Sequence, residues 1–444
     1  MIYIRKAAQV VAVSGGTTAP KIRDDMRELN VIENGGVVVE GERIVFVGPD
    51  EEAEAYVKAN RSQEEVTVIN AEGKTVTPGL IDPHTHIVFA GSREFELGLR
   101  LQGATYMDIL RAGGGILYST EQTRKADEQQ LMEETGKRLD RFLAHGVTTV
   151  EAKSGYGLRL EDELKQLRVA RSLNRLHPVE LVSTFMGAHA VPPEFKEAPE
   201  EFVRLIVEGM IPAVAEQGLA EYCDVFCEEG VFTPDQTRDI LRAGMKFGLK
   251  PKVHADEIVH SGGAELAAEL EAVSAEHLLQ ASEGGIRAMA EKGVIAVLLP
   301  GTAFYLMTTP ADARKMIDAG VPVALSTDCN PGSSPTVSLP FIMNLACLTM
   351  RMTPEEALTA CTINAAHAIG RAERIGSIEP GKQADIVIFD APNYMFLQYH
   401  YAVNLTDTVI KKGIPVIAGG ESQSIDPDAQ RTACRQSMRF FFWP

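Results

Sequence analysis

Two histidines stand one residue apart in PGLIDPHTHIVFAG, residues 78–91, just where Leu80 and Ile81 begin a buried-looking run. In an extended chain, residues i and i+2 share a face, so His84 and His86 aim at one point. Neutral imidazole is the commonest metal ligand, and two rings aimed alike can chelate a cation. A turn carrying two solvated histidines would look the same locally, so the rest of the chain must decide. It supplies His254 and Glu257 in KVHADEI, His277 in SAEHL and Asp328 in LSTDC. His84, His86, His254 and Asp328 together make three nitrogens and one carboxylate oxygen, a set that suits zinc first and iron second. Such an ion lowers the pKa of its water from about 16 toward 7. Glu257 would move a proton from that water to a leaving nitrogen, against the plainer reading of a solvated loop glutamate. His277 would hydrogen-bond the water or the forming oxyanion, against the plainer reading of a satisfied core histidine, and Asp328 would orient the nucleophile. Lys153, in VEAKSGYG, reads as an ordinary lysine beside one ion rather than a bridge between two.

These residues need elements to bring them together. From residue 78 the chain alternates strand-like runs with helical periodicity: TPGLIDPHTH, GVTTVEAK, VELVSTFMGAH, EYCDVFCE, LKPKVHADE, EAVSAEHL, GVIAVLLPG and VPVALSTD. Eight such repeats over about 250 residues predict a (β/α)8 TIM-like barrel, whose active site lies at the C-terminal ends of its strands. The runs end at His84 and His86, Glu151 and Lys153, His189, Cys227 and Glu228, His254 and Glu257, His277, Thr302 and Asp328. Five of the chain's ten histidines thus gather on one face, which is what makes a metal centre the stronger reading. An open doubly wound sheet is the rival, but no G-x-G-x-x-G follows an early strand. Residues 1–77 and 375–444 read as short strands and turns, which predicts one small β-sandwich domain built from both chain ends, with the barrel spanning 78–374. The first of these segments reads as antiparallel. The last stretch, ending FFFWP, fits no element.

Composition narrows the class. The chain has 444 residues, 45% of them hydrophobic and 23% charged, with a formal net charge of −18. That balance argues against a nucleic-acid surface, though one placed arginine can still hold an anionic substrate. Six scattered cysteines complete no zinc knuckle and suit a reducing compartment. Neither a signal peptide nor a membrane span is evident, so the expected location is cytoplasmic.

HxH after the first strand, HxxE after the fifth, His after the sixth and STD at the eighth resemble the mononuclear branch of the amidohydrolase superfamily. Within it, GSREFE, GGGI, EAKSGYGL, TFMGAHAVPPE, KVHADEI, GGAELAAEL, LLPGTAFYL and STDCNPGSSP resemble the members that act in the third step of histidine degradation. The likeness runs from about residue 34 to 417. It implies hydrolytic opening of 4-imidazolone-5-propanoate to N-formimidoyl-L-glutamate, with one Zn2+ or Fe3+ per subunit on His84, His86, His254 and Asp328. It further implies substrate contacts at Arg93, Tyr156, His189, Glu257, Asn330, Gly332 and Ser333, and a homodimer. The residue chemistry agrees. Arg93 could grip the propanoate in a two-point fork, Tyr156 on a glycine-flanked loop could reach the same anion, and His189 could donate to the ring oxygen or the tail. Asn330, Gly332 and Ser333 follow a metal ligand directly, so an amide and backbone N–H groups could hold ring and tail. Gly113–Gly115 lacks the Lys-Ser/Thr of a phosphate loop and suits a lid better. Two rivals stand beside this reading. A cytosine- or guanine-type deaminase would share the ligands but has no carboxylate for Arg93 to hold, and a non-catalytic barrel scaffold would be expected to lose ligands.

Overall fold

The structure is a computed structural model and describes residues 1–60, 66–104, 108–109 and 113–422. The C-terminal FFFWP and Cys434 lie outside the described residues. Nine strands form one mixed sheet and eight form another. The first contains β1 (Ile2–Val11), β2 (Val31–Glu40), β3 (Arg43–Pro49), β4 (Thr67–Asn70) and β5 (Thr75–Pro78). The second holds β6 (Leu80–Asp82), β7 (Val147–Lys153), β8 (Glu180–Ala188), β9 (Tyr222–Cys227), β10 (Lys250–Ala255), β11 (Ser274–His277), β12 (Ile295–Leu298) and β13 (Val323–Leu325). The chain then returns to the first sheet with β14 (Ile386–Phe389), β15 (Thr406–Lys411), β16 (Ile414–Ala418) and β17 (Glu421–Ser422).

Strands β6 to β13 pair in sequence order, all parallel, as the eight runs predict. Their near-continuous burial is what a sheet covered on its outer face by helices requires. Closure falls at the site. Thr85 bridges Cys329 in parallel, and the His86 N–H donates to the Cys329 carbonyl at 3.0 Å. The Ser326 hydroxyl donates to Asp82 and, at 2.7 Å, to the His84 carbonyl. His84 and His86 therefore lie just past the end of β6, on a segment pinned to the last strand.

The covering helices follow from amphipathic spacing. The helix Glu128–Ala144 buries Leu131, Thr135, Leu139 and Phe142 along one stripe, and the Asp127 side chain caps it by accepting from the Gln130 N–H at 2.8 Å. The helix Pro234–Lys246 begins with a reciprocal Thr233–Gln236 capping box and Pro at its first position. Each buried leucine or phenylalanine on these stripes stabilises the barrel by about 1.5–3 kcal/mol.

The small sheet runs in the order β17-β16-β15-β14-β5-β1-β2-β3, with β4 on β1. It is not purely antiparallel at its N-terminal end, because β4 and β5 both run parallel to β1. The sheet curls on itself: Ile44 of β3 donates through its N–H to the Lys382 carbonyl, and β2 and β14 residues share one core of Val37, Val39, Ile386 and Ile388. The period of two then divides β14, with Val387 and Phe389 joining the barrel's core instead. Among the described residues, no helix is long and apolar enough to cross a membrane, and Cys223, Cys227, Cys329, Cys347 and Cys361 are all free.

Candidate active site

The barrel mouth gathers the histidines whose spacing was suggestive. His84 Nε2 lies 3.4 Å from Asp328 Oδ1, His86 Nε2 lies 3.8 Å from the same oxygen, and His254 Nε2 lies 3.4 Å from His86 Nε2. Donors sharing one cation at metal–nitrogen distances near 2.0–2.1 Å are about 3.4 Å apart, so these separations, with His84, His86 and Asp328 grouped around one point, fit an ion at the mouth. Burial holds His84 and His86 well below the ordinary imidazole pKa and pushes His254 down to about 3. All three are therefore neutral, the form that ligates. His84 Nε2, which faces Asp328, is buried without a hydrogen-bond partner, a costly state unless something else fills the site. Asp328 is held for the task, since its other oxygen accepts from the Thr302 hydroxyl at 2.6 Å. Burial pushes its pKa up to about 7, and a nearby cation favours the charged form.

Beneath this layer lies a second one, of which the strand-end reading caught Glu151 and Lys153 but not Asp224, Lys252 and Glu276. His84 Nδ1 is 3.1 Å from Glu276, and His254 Nδ1 is 3.0 Å from Asp224. A carboxylate behind each imidazole fixes the ring's tautomer and orientation. Lys153 then joins both, at 3.0 Å from Glu276 and 2.7 Å from Asp224, and reaches Glu151 at 3.1 Å. Lys252 adds a contact of 2.9 Å to Glu151. All five side chains are fully buried. Burial alone would lower the Lys153 pKa, but Asp224, Glu151 and Glu276 outweigh it and hold it above the ordinary lysine value. A signal existed in the sequence: Lys252 precedes His254 by two and Glu151 precedes Lys153 by two, so each pair shares the inward face of its strand.

Glu257 and His277 face each other, with Oε2 3.5 Å from Nε2. Burial, then repulsion from Asp328 and Glu228, pushes the Glu257 carboxyl up to about 8. That places it where a group can both take and give a proton near neutral pH. His277 and Asp328 both adopt the left-handed backbone region, at φ 71° and φ 52°. Residues other than glycine enter it at a cost of about 1–2 kcal/mol. Strain of this kind is tolerated where a side chain must be re-aimed, here off the ends of β11 and β13.

The remaining predicted contacts border the same mouth. His189 stacks on His86, with centroids 4.6 Å apart and planes at 14°, and Tyr156 packs edge-on to His86 at 5.8 Å. Gly155 has φ +111°, and a Cβ there would sit 2.7 Å from His189 Nδ1, so only glycine lets His189 in. The SGYG segment looks loose in sequence but is tethered: the N–H groups of Gly155, Gly157 and Leu158 all donate to the buried Glu163 carboxylate, at 3.0, 2.8 and 2.8 Å. Asn330 is committed as well. Its Oδ1 accepts from the N–H groups of Gly332 and Ser333, both at 2.8 Å, and its Nδ2 donates to the Asp328 carbonyl and the Ser333 hydroxyl. Arg93 sits against this turn, so close that a Cβ on Gly332 would lie 2.1 Å from Nη1.

A barrel closed at its mouth around three imidazoles, a carboxylate and a buried acid defines the hydrolase class, and the relatives agree. The amidohydrolase family model matches residues 75–419, and the chain belongs to that family. Within it, the chain groups with the imidazolonepropionases. That of Shouchella clausii is 66% identical over 420 residues, covering 95% of this chain and 94% of the relative. That of Geobacillus kaustophilus is 62% identical over 420 residues, covering 95% and 99%. In fold alone, the chain resembles a zinc-complexed atrazine chlorohydrolase from Arthrobacter aurescens, with TM-score 0.67 and 16% identity over 98% of this chain and 99% of that one. It also resembles a zinc-bound adenosine deaminase from Xanthomonas campestris, with TM-score 0.66 and 20% identity over 99% and 98%.

Proposed function

We propose that this chain carries out the imidazolonepropionase reaction, the hydrolytic opening of 4-imidazolone-5-propanoate to N-formimidoyl-L-glutamate. The observation that carries the reading is the grouping of His84, His86 and Asp328 around one point, with His254 3.4 Å from His86 and Arg93 against the Gly332 turn that follows Asp328. We assign those four residues to one zinc or iron ion per subunit, which when bound polarises the ring carbonyl and makes its water acidic enough to attack at neutral pH.

The chain's own residues do the rest. Glu257 takes a proton from water as the oxygen bonds to the ring carbonyl carbon. The bond from that carbon to the ring nitrogen then breaks, and Glu257 delivers the proton to the departing nitrogen, leaving a carboxylate and a formimidoyl group. His277, beside Glu257, donates to the oxyanion as the carbonyl becomes tetrahedral. Arg93 and Tyr156 hold the propanoate, His189 orients the ring, and Asn330 shapes the turn of Gly332 and Ser333 against the tail. Two further expectations accompany this reading: a homodimer, checked by light scattering, and a cytoplasmic location, checked by fractionation.

Loss of imidazolone propanoate absorbance, followed for the native protein and Arg93→Ala, tests the assignment. Ring opening without ammonia release is expected, with the Michaelis constant of the variant raised about tenfold or more. Ammonia release would indicate a deaminase, and an unchanged Michaelis constant would remove Arg93 from its role.

A further inference from the structure

The arginine assigned to the substrate tail is not free in its pocket. Arg93 Nε donates to Glu96 Oε1 at 2.7 Å and Nη2 donates to Glu96 Oε2 at 3.0 Å, so one edge of the guanidinium is already taken by a carboxylate. An ion pair at i,i+3 on a helix is ordinarily a solvated surface feature of small consequence. This one differs in three ways. The two side chains are only 9% and 3% exposed. Glu96 Oε1 also accepts from the Gly115 N–H at 2.7 Å, which ties the glycine turn to the same carboxylate. Nor is there room for a larger turn residue, since a Cβ on Gly114 would lie 2.8 Å from Glu96 Oε1.

The local geometry explains why Glu96 reaches Arg93. The helix Glu94–Leu101 starts with Arg93 at its N-cap, and no side chain caps it. Glu96 holds the third helical position, from which a glutamate usually turns back to the N-cap backbone. Here it turns back to the N-cap side chain instead. Three segments are thus joined around one guanidinium: Glu96 of the same helix clamps one edge, Gly332 leaves space at Nη1, and Gly115 holds the clamp.

Building on the proposed reaction, we infer that Glu96 is a positioning residue that presents the Nη1–Nη2 edge of Arg93 to the substrate carboxylate and so sets selectivity for an acidic tail. A flexible arginine would lose rotamer freedom on binding the anion, whereas a clamped one has already lost it. The fork that an incoming carboxylate can use is the edge Glu96 leaves open.

Steady-state kinetics of Glu96→Gln tests this. The substitution keeps an acceptor for Gly115 and removes the charge that fixes Arg93. The Michaelis constant for imidazolone propanoate is expected to rise about tenfold with kcat within about threefold of native. The uncharged propanamide analogue should be turned over with the same kcat/KM by both proteins, a result that general loosening of the site would not give. Equal Michaelis constants for native and variant would overturn the inference, as would parallel losses on acid and amide. Failure of the native protein to consume imidazolone propanoate would instead overturn the proposed function. Should Glu96→Gln not fold, Glu96→Asp withdraws the clamp by one methylene and is expected to show the same split; an unchanged constant there would equally overturn the inference.

Discussion

At the mouth of the barrel, His84, His86 and His254 are neutral and closely grouped, and His84 Nε2 has no hydrogen-bond partner. One layer deeper in the barrel, Glu151, Lys153, Asp224, Lys252 and Glu276 are cross-linked by ion pairs. Both layers are buried, so burial alone does not distinguish a reactive layer from a structural one. Pairing does. The lower layer sets two lysines among three carboxyl groups, each ion-paired. The upper layer brings neutral imidazoles together with an unpartnered His84 Nε2, which is the arrangement a cation satisfies. The lower layer also aims the upper, since Glu276 and Asp224 stand behind His84 and His254.

Breaking the lower layer should have the largest effect. Lys153→Met leaves Glu151, Asp224 and Glu276 without their shared cation, and stability to urea is expected to fall by about 3–5 kcal/mol. Unchanged stability would mean that the layer contributes little to the fold. Next comes Glu257, proposed as the proton carrier. Glu257→Gln should retain metal while kcat falls by about 10²–10⁴, measured by substrate absorbance with metal content alongside. The sign with pH follows from its raised pKa. Taking a proton requires the ionised form, so native kcat/KM rises with pH and levels at or below about 8, because a cation in the pocket favours the carboxylate. In the variant that rising limb should vanish, and its survival would assign the limb to another group. The smallest effect belongs to the rim. Gly332→Ala pushes a methyl against Arg93 and should raise the Michaelis constant about tenfold with kcat little changed. A fall in kcat alone would contradict the placement of the tail there.

The upper layer was legible in the sequence because strand ends in such barrels share one face, so HxH, HxxE and STD could be stacked before any coordinates. The eight strands were legible for a related reason, since each alternates with a helix-period segment. Glu276 and Asp224 were harder. They sit inside apolar strand runs where a charge looks like a loop residue, and their partners Lys153 and Lys252 come from other strands. Strand β11 shows the difficulty most clearly: Glu276 and His277 are adjacent, yet a left-handed φ at His277 brings both to the site. Alternation alone would send them to opposite faces. The parallel docking of β4 and β5 on β1 had no local signature either, because parallel partners are chosen by tertiary contacts rather than by a turn.

Anomalous diffraction from metal-loaded crystals, recorded at the absorption edge of the bound ion, tests the central claim most directly. A single peak per chain is expected, enclosed by the Nε2 atoms of His84, His86 and His254 and by Asp328 Oδ1. A peak instead between Asp224 and Glu276, or at the outer group of Asp256, His260 and Glu265, would contradict it.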